Sequence, residues 1–199
     1  MRSSFILAFH LTLNVLASNK TWYLGFPDKR PFTVHTTRFL CAGHPNYTIV
    51  EQCKLKLHRN KPSALTFRAT FLKPLEPVVG SMKIWYKTNV NIWRPLLGID
   101  EWNHACDFLT AKYEDLDLMQ KIYRRSLKHM LPHLDVRCPL QGTYEFTDFT
   151  FEDHMFPPFL PAGSYRNDMA LLTVENLTVL ELQFYGTVRA KGLIDLSMG

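Results

Sequence analysis

The chain has 199 residues, of which 46% are hydrophobic and 21% charged, with a formal net charge of +5. Its length is close to that of one domain and sufficient to bury roughly 70% of the surface that the unfolded chain would expose. The basic residues are spread along the sequence, whereas nucleic-acid binding concentrates Lys and Arg on one face, so we exclude a nucleic-acid partner.

The chain begins with a pattern typical of a secretory leader. Arg2 precedes an apolar run from Phe5 to Ala17, which ends in small residues. The run is too short and too polar for a membrane span, and no later stretch approaches the ~20 apolar residues that a span needs. We therefore predict a signal peptide, 1–18, then one secreted extracellular domain, 19–199, with no transmembrane segment.

Three glycosylation sequons agree with secretion, and they begin at Asn19, Asn46 and Asn176. A used sequon lies on the surface of a secreted protein. Asn19 lies very near the predicted new N-terminus, whereas Asn46 follows Pro45 in a turn-like stretch. Asn46 is therefore the best candidate of the three.

Alternation of apolar and polar residues is the dominant local signal. Leu65 to Phe71 places every second side chain, all of them apolar, on one face of a strand. Further strands are predicted at 54–58, 81–88, 144–151, 169–174 and 178–188. Prolines such as Pro95 are expected in the turns between strands. Six or more short strands with this spacing predict an antiparallel β-sandwich.

One segment has helical rather than strand periodicity. From Asp107 to Met130, apolar residues recur every three or four positions, and Pro132 ends the pattern. We predict a helical insertion around 107–131, as one amphipathic helix or a pair. Its basic face is either solvated surface or a contact with anionic headgroups or a partner.

The four cysteines, Cys41, Cys53, Cys106 and Cys138, allow three disulfide pairings. Proximity in the sequence favours Cys41 with Cys53 and Cys106 with Cys138, since each pair would close a local loop. Metal ligation is the competing reading, but there is no Cys-x-x-Cys spacing and the predicted compartment is oxidising.

Five strings in a fixed order carry a family resemblance: 53–60, 93–97, 106–109, 138–139 and 160–165. In this order they resemble a large insect family of secreted proteins that includes relatives of the CheB chemosensory proteins. The family is distantly similar to the ganglioside activator protein and to ML lipid-recognition domains. The resemblance implies an immunoglobulin-like β-sandwich whose two sheets splay to admit a lipid or hydrocarbon chain, without catalytic residues. For some relatives it also implies a role in contact-pheromone perception.

Eight large apolar residues are candidates for lining a ligand site, because such a site is concave and mostly hydrophobic. They are Phe67, Phe71, Trp85, Trp93, Phe146, Phe156, Phe159 and Leu160. The run from Met155 to Leu160 also contains a proline pair that blocks ladder pairing, which suits a loop at the mouth of a cavity. The alternative is that these side chains only fill the core.

Catalytic and metal-binding patterns are weak. The sequence has no Gly-x-Ser-x-Gly elbow, no His-Glu-x-x-His helix and no phosphate-cradling glycine loop. His129 and His133 have the spacing of two helical metal ligands, but Pro132 lies between them. We therefore expect no enzymatic activity, no catalytic residue, no metal and no cofactor.

Two functions remain. The first is non-enzymatic extracellular binding of a lipid-like or hydrocarbon ligand, with chemosensation as the setting that the resemblance implies. The alternative is an extracellular protein adaptor or co-receptor that binds a receptor and no small ligand. Ligand binding predicts a continuous internal cavity, whereas the adaptor predicts a filled sandwich and an exposed apolar patch.

Overall fold

A computed structural model describes residues 30–191, apart from 60, 103, 118–119, 122–123, 125–137 and 158–159, and apart from the side chains of 97–102. The predicted leader, Asn19, Phe159, His129 and His133 therefore lie outside the described residues.

Eight antiparallel strands form two sheets. They are β1 (Phe32–Gly43), β2 (Thr48–Lys56), β3 (Ala64–Leu75), β4 (Val79–Lys87), β5 (Trp93–Trp102), β6 (Leu140–Phe149), β7 (Gly163–Leu172) and β8 (Thr178–Ala190). One sheet has the order β1-β8-β7-β4-β5 and the other the order β2-β3-β6. The main cluster of buried side chains takes members from both sheets, so the two pack face to face. The predicted antiparallel β-sandwich is confirmed.

β3 follows from its sequence in a direct way. Leu65 and Ala69 have no solvent exposure, and Phe67 and Phe71 have 5% each. Arg68, between them, is exposed on the opposite face and lies 3.5 Å from Glu145 of β6. Because strand side chains alternate between faces, this pattern puts one full row of the strand into the core.

Neither β1 nor β5 is predicted from the sequence. In each strand a local feature disrupts the pattern on which the prediction depends. In β1 the register shifts between Thr36 and Arg38, so the buried face changes from even to odd positions and Phe39 points inward. In β5, Pro95 was expected in a turn. A proline cannot donate to a ladder, but β5 is an edge strand, where one side has no neighbouring strand to receive a donor.

Both predicted disulfides are confirmed. Cys41 of β1 pairs with Cys53 of β2, with a Cα–Cα distance of 6.0 Å, and so links the edge strands of the two sheets. Cys106 pairs with Cys138, with a Cα–Cα distance of 5.9 Å. All four cysteines pack against the main core cluster. Each bond therefore fastens a peripheral segment to the sandwich interior.

The helical insertion begins two residues earlier than predicted. Helix α1 (Ala105–Thr110) is followed by a short 3₁₀ turn at Tyr113–Asp115. α1 ends at Ala111, whose backbone is extended. Of the predicted basic face, Lys112, Lys121 and Arg124 are described, whereas Arg125 and Lys128 lie outside the described residues.

Candidate functional site

A cavity of about 170 Å³ lies between the two sheets, and its wall is almost entirely hydrophobic. We call it the inter-sheet cavity. It is lined by Phe67, Phe71, Gly80, Ser81, Ala105, Phe108, Leu109, Leu140, Tyr144, Phe146, Met169, Ala170, Leu171, Leu180, Leu182 and Phe184. Such a wall offers dispersion contacts and very few hydrogen-bonding groups, so it suits an apolar occupant.

Both sheets supply the wall through strand alternation. The three-stranded sheet contributes aromatic rings, and those of Phe67 and Phe146 lie with their centroids 5.4 Å apart. The five-stranded sheet contributes mainly aliphatic side chains, such as Leu180 and Leu182 of β8. The cavity therefore has one mainly aromatic side and one mainly aliphatic side.

Helix α1 closes one side of the cavity. Ala105 and Phe108 are buried, and both line the cavity together with Leu109. The N–H of Ala105 donates to the carbonyl oxygen of Val78 at 2.7 Å, which ties the start of the helix to the segment before β4. The Cys106–Cys138 bond ties it again, two residues before Leu140, which is itself a lining residue. We call α1 the roof of the cavity.

Three of the eight predicted lining residues lie in the wall, namely Phe67, Phe71 and Phe146. Phe156 and Leu160 pack instead against a second buried cluster, which consists of Phe32, Val34, Tyr165 and Val188. The Phe156 ring still lies 5.8 Å from that of Phe151, which packs against the main core. Phe156 and Leu160 therefore pack at the second cluster and are not among the described lining residues.

Trp85 and Trp93 lie on the outer face of the five-stranded sheet. The Arg166 guanidinium is 4.7 Å from the centroid of the Trp85 ring and 5.6 Å from that of Trp93. Arg166 also pairs with Asp168 at 2.9 Å, and Trp93 contacts the Tyr185 ring edge-on. Cation–π contacts of this kind stabilise the outer face, and neither tryptophan is among the residues that line the cavity. We call these five residues the outer-face ladder.

The aliphatic residues that line the cavity were not identified from the sequence. The segment Leu180, Leu182, Phe184 alternates with Glu181 and Gln183, so the signal for its inward face was available in the sequence. The contribution of Phe108 and Leu109 could not be found in this way, because it depends on where α1 sits over the sheets.

Tyr165, a member of the second cluster, has a strongly raised pKa. Burial, and then the neighbouring Tyr86 phenol, raise the pKa of Tyr165 to about 12. Its hydroxyl donates to the carbonyl oxygen of Pro161 at 2.7 Å. Tyr165 is therefore neutral at physiological pH and holds the proline-rich segment against β7.

The hairpin between β4 and β5 exposes several apolar side chains. Val90 is 73% exposed, Ile92 51% and Leu96 42%, and Lys87 and Arg94 lie in the same hairpin. Within the described part of the chain, no helix is long and apolar enough to cross a membrane.

Two of the predicted glycan acceptors fall in the described residues. Asn46 and Asn176 are both exposed and lie in turns. Thr48, which completes the first sequon, is 2% exposed, and its hydroxyl has no hydrogen-bond partner among the described residues.

Comparisons with known proteins find a matching family model and similar solved structures. Residues 80–167, from β4 into β7, match a family described as "Protein of unknown function (DUF1091)". The crystal structure of a Niemann-Pick type C2 protein from Japanese carpenter ant is 14% identical, with 77% of this chain and 90% of that chain covered and a TM-score of 0.28. No curated protein matches the chain significantly. At this TM-score the structural likeness has no bearing on function, so the proposal below rests on the cavity.

Proposed function

We propose that this protein is a secreted, non-enzymatic binder of a lipid-like or hydrocarbon ligand, which occupies the inter-sheet cavity. The observation that supports this is the apolar wall supplied by both sheets and closed by α1. An apolar cavity of roughly 150 Å³ can bind a molecule such as benzene, and this cavity, of about 170 Å³, is large enough for a ligand of at least that size. Each methylene group buried there contributes about 0.8 kcal/mol to binding.

The proposal excludes catalysis because of the chemistry of the wall. Among the described lining residues, the side-chain polar groups are the hydroxyls of Ser81 and Tyr144. No carboxylate, imidazole or amine is among these lining residues, so neither hydroxyl has a base in the wall to activate it. A ligand in this cavity would be held rather than converted.

The proposed setting is extracellular and chemosensory. Two disulfides are typical of an oxidising compartment, and the leader pattern at 1–18 agrees with secretion. The ordered strings at 53–60, 93–97, 106–109, 138–139 and 160–165 support placement beside the CheB relatives, some of which are implicated in contact-pheromone perception. We propose a single mature domain, 19–199, in that role.

The direct test is native mass spectrometry of the secreted protein, followed by lipid extraction and displacement of a fluorescent fatty-acid probe. We expect Leu182→Trp to abolish probe binding, because the added ring occupies the cavity. Leu72→Trp is the matched control, since Leu72 is 46% exposed on the outer side of β3. Absence of any bound lipid or hydrocarbon, together with no probe binding by the wild type, would refute the proposal.

A second candidate is an extracellular adaptor or co-receptor, and the exposed β4–β5 hairpin favours it. Val90 and Ile92 form an apolar tip of the kind that a partner protein buries. Under this reading, Val90→Asp with Ile92→Asp abolishes capture of a receptor from native membranes, whereas Leu182→Trp has no effect. The two candidates therefore respond to different variants.

A further inference from the structure

Asn167 places an amide in the interior of the sandwich. It lies on β7 with Ile84 and Phe184 as its cross-strand neighbours. Its chain neighbours Arg166 and Asp168 belong to the outer-face ladder, and strand side chains alternate between faces. The Asn167 side chain therefore points between the sheets, on the same side as Phe184.

The Oδ1 atom of Asn167 is fully buried and accepts no hydrogen bond from the described residues. Nearly all buried polar atoms in native proteins have a partner, so an exception needs an explanation. The buried Nε of Arg166 and Oδ1 of Asp168 also lack partners, but these two side chains are paired with each other through their other atoms. Asn167 has no such ion pair.

Asn167 is not itself a lining residue, but its neighbours in the sheet reach the cavity wall. Phe184, across the strand from Asn167, lines the cavity, and so does Met169, two positions further along β7. Two strand positions correspond to about 7 Å. An occupant that extends the cavity by that length toward the second cluster would bring its end to the Asn167 amide.

We infer that Asn167 is the polar anchor of the inter-sheet cavity, and that the ligand is a neutral chain with a terminal hydroxyl that donates to Oδ1. This rests on the proposed function and specifies its ligand class. A pure hydrocarbon would leave the acceptor unpaired. An ionised carboxylate would bring a charge into a wall in which no described lining residue is a cation.

The test compares octanol with its methyl ether, since the two have the same chain and the ether lacks the donor. Displacement titrations of the fluorescent probe give both affinities. A donor that pairs an otherwise unpaired buried acceptor is worth roughly 10- to 100-fold in affinity. We expect the wild type to prefer octanol by at least about tenfold.

Asn167→Leu removes the acceptor at nearly constant volume. We expect this variant to bind the ether as well as the wild type does and to lose the preference for octanol. Thr48→Val is the matched control, because it removes a different buried polar atom without a described partner, the Thr48 hydroxyl, and it should retain the preference.

Equal binding of the two ligands by the wild type would overturn the inference and leave the proposed function standing. A preference that survives in Asn167→Leu, or that disappears in Thr48→Val, would overturn it as well. If neither compound displaces the probe because nothing binds to the wild type, the proposed function fails and the inference fails with it.

Discussion

Loss of the Cys106–Cys138 disulfide should loosen the roof of the inter-sheet cavity. The bond spans 32 residues, for which the chain-entropy estimate gives roughly 3.7 kcal/mol of stabilisation as an upper value. We expect the double variant Cys106→Ser, Cys138→Ser to lose up to that amount in free energy of unfolding. α1 keeps its hydrogen bond to Val78 but loses its covalent tie. If the closed roof is then populated about a tenth of the time, probe affinity falls roughly tenfold.

The double variant Cys41→Ser, Cys53→Ser is the control. This bond spans 12 residues, so its estimated contribution is roughly 2.8 kcal/mol, and neither cysteine lines the cavity. We expect it to reduce stability and leave probe affinity unchanged. Urea unfolding gives the stabilities, and displacement titrations under conditions in which both variants are folded give the affinities. An equal fall in affinity in both variants, or no fall in either, would refute the proposed role of the roof.

Three further predictions concern single residues. Because the pKa of Tyr165 in the folded protein is raised to about 12, the protein should lose up to about 3 kcal/mol of stability as pH rises from about 10 to about 12. Urea titrations across this pH range should show that Tyr165→Phe abolishes the loss. Thr48→Val removes both the sequon at Asn46 and a buried hydroxyl without a described partner, so we expect a loss of glycan mass and a gain of about 1 kcal/mol in stability. A less stable variant would contradict the assignment. Asp168→Ala leaves the half-buried Arg166 without its carboxylate and should lower the free energy of unfolding by about 2 kcal/mol. Arg68→Ala, in an exposed ion pair, should change it by less than about 0.5 kcal/mol. Equal losses for the two variants on denaturant unfolding would argue against the outer-face ladder.

The sandwich was predictable wherever one face of a strand alternates without interruption. β3 is the clearest case, since all four of its apolar positions from Leu65 to Phe71 are buried. β1 was not predictable, because the register shift after Thr36 changes the buried face and destroys the period of two. β5 was hidden by Pro95, which a sequence reader assigns to a turn unless the position of the strand at the sheet edge is known.

The candidate site was predictable only in part. Phe67, Phe71 and Phe146 could be placed in the wall because each belongs to an alternating strand. Trp85 is also in a strand, but the sequence alone does not reveal which face of β4 is inward. The stacking of Arg166 on that ring, and the position of α1 over the cavity, arise from contacts between segments far apart in the chain. Such contacts leave no local pattern.

The cavity itself favours a bound state for this protein. Residual cavities lower stability by about 24 cal/mol per Å³, so filling 170 Å³ of apolar space is worth at most about 4 kcal/mol. That is a large part of the 5–15 kcal/mol typical of a folded domain. A larger side chain at a small, buried lining position such as Ala105 would fill part of this space. An apolar occupant would make the same contacts, and the two disulfides fasten the sheets and the roof around it. An apolar interior with a covalently fastened rim therefore suits reversible binding of a ligand better than permanent filling by side chains.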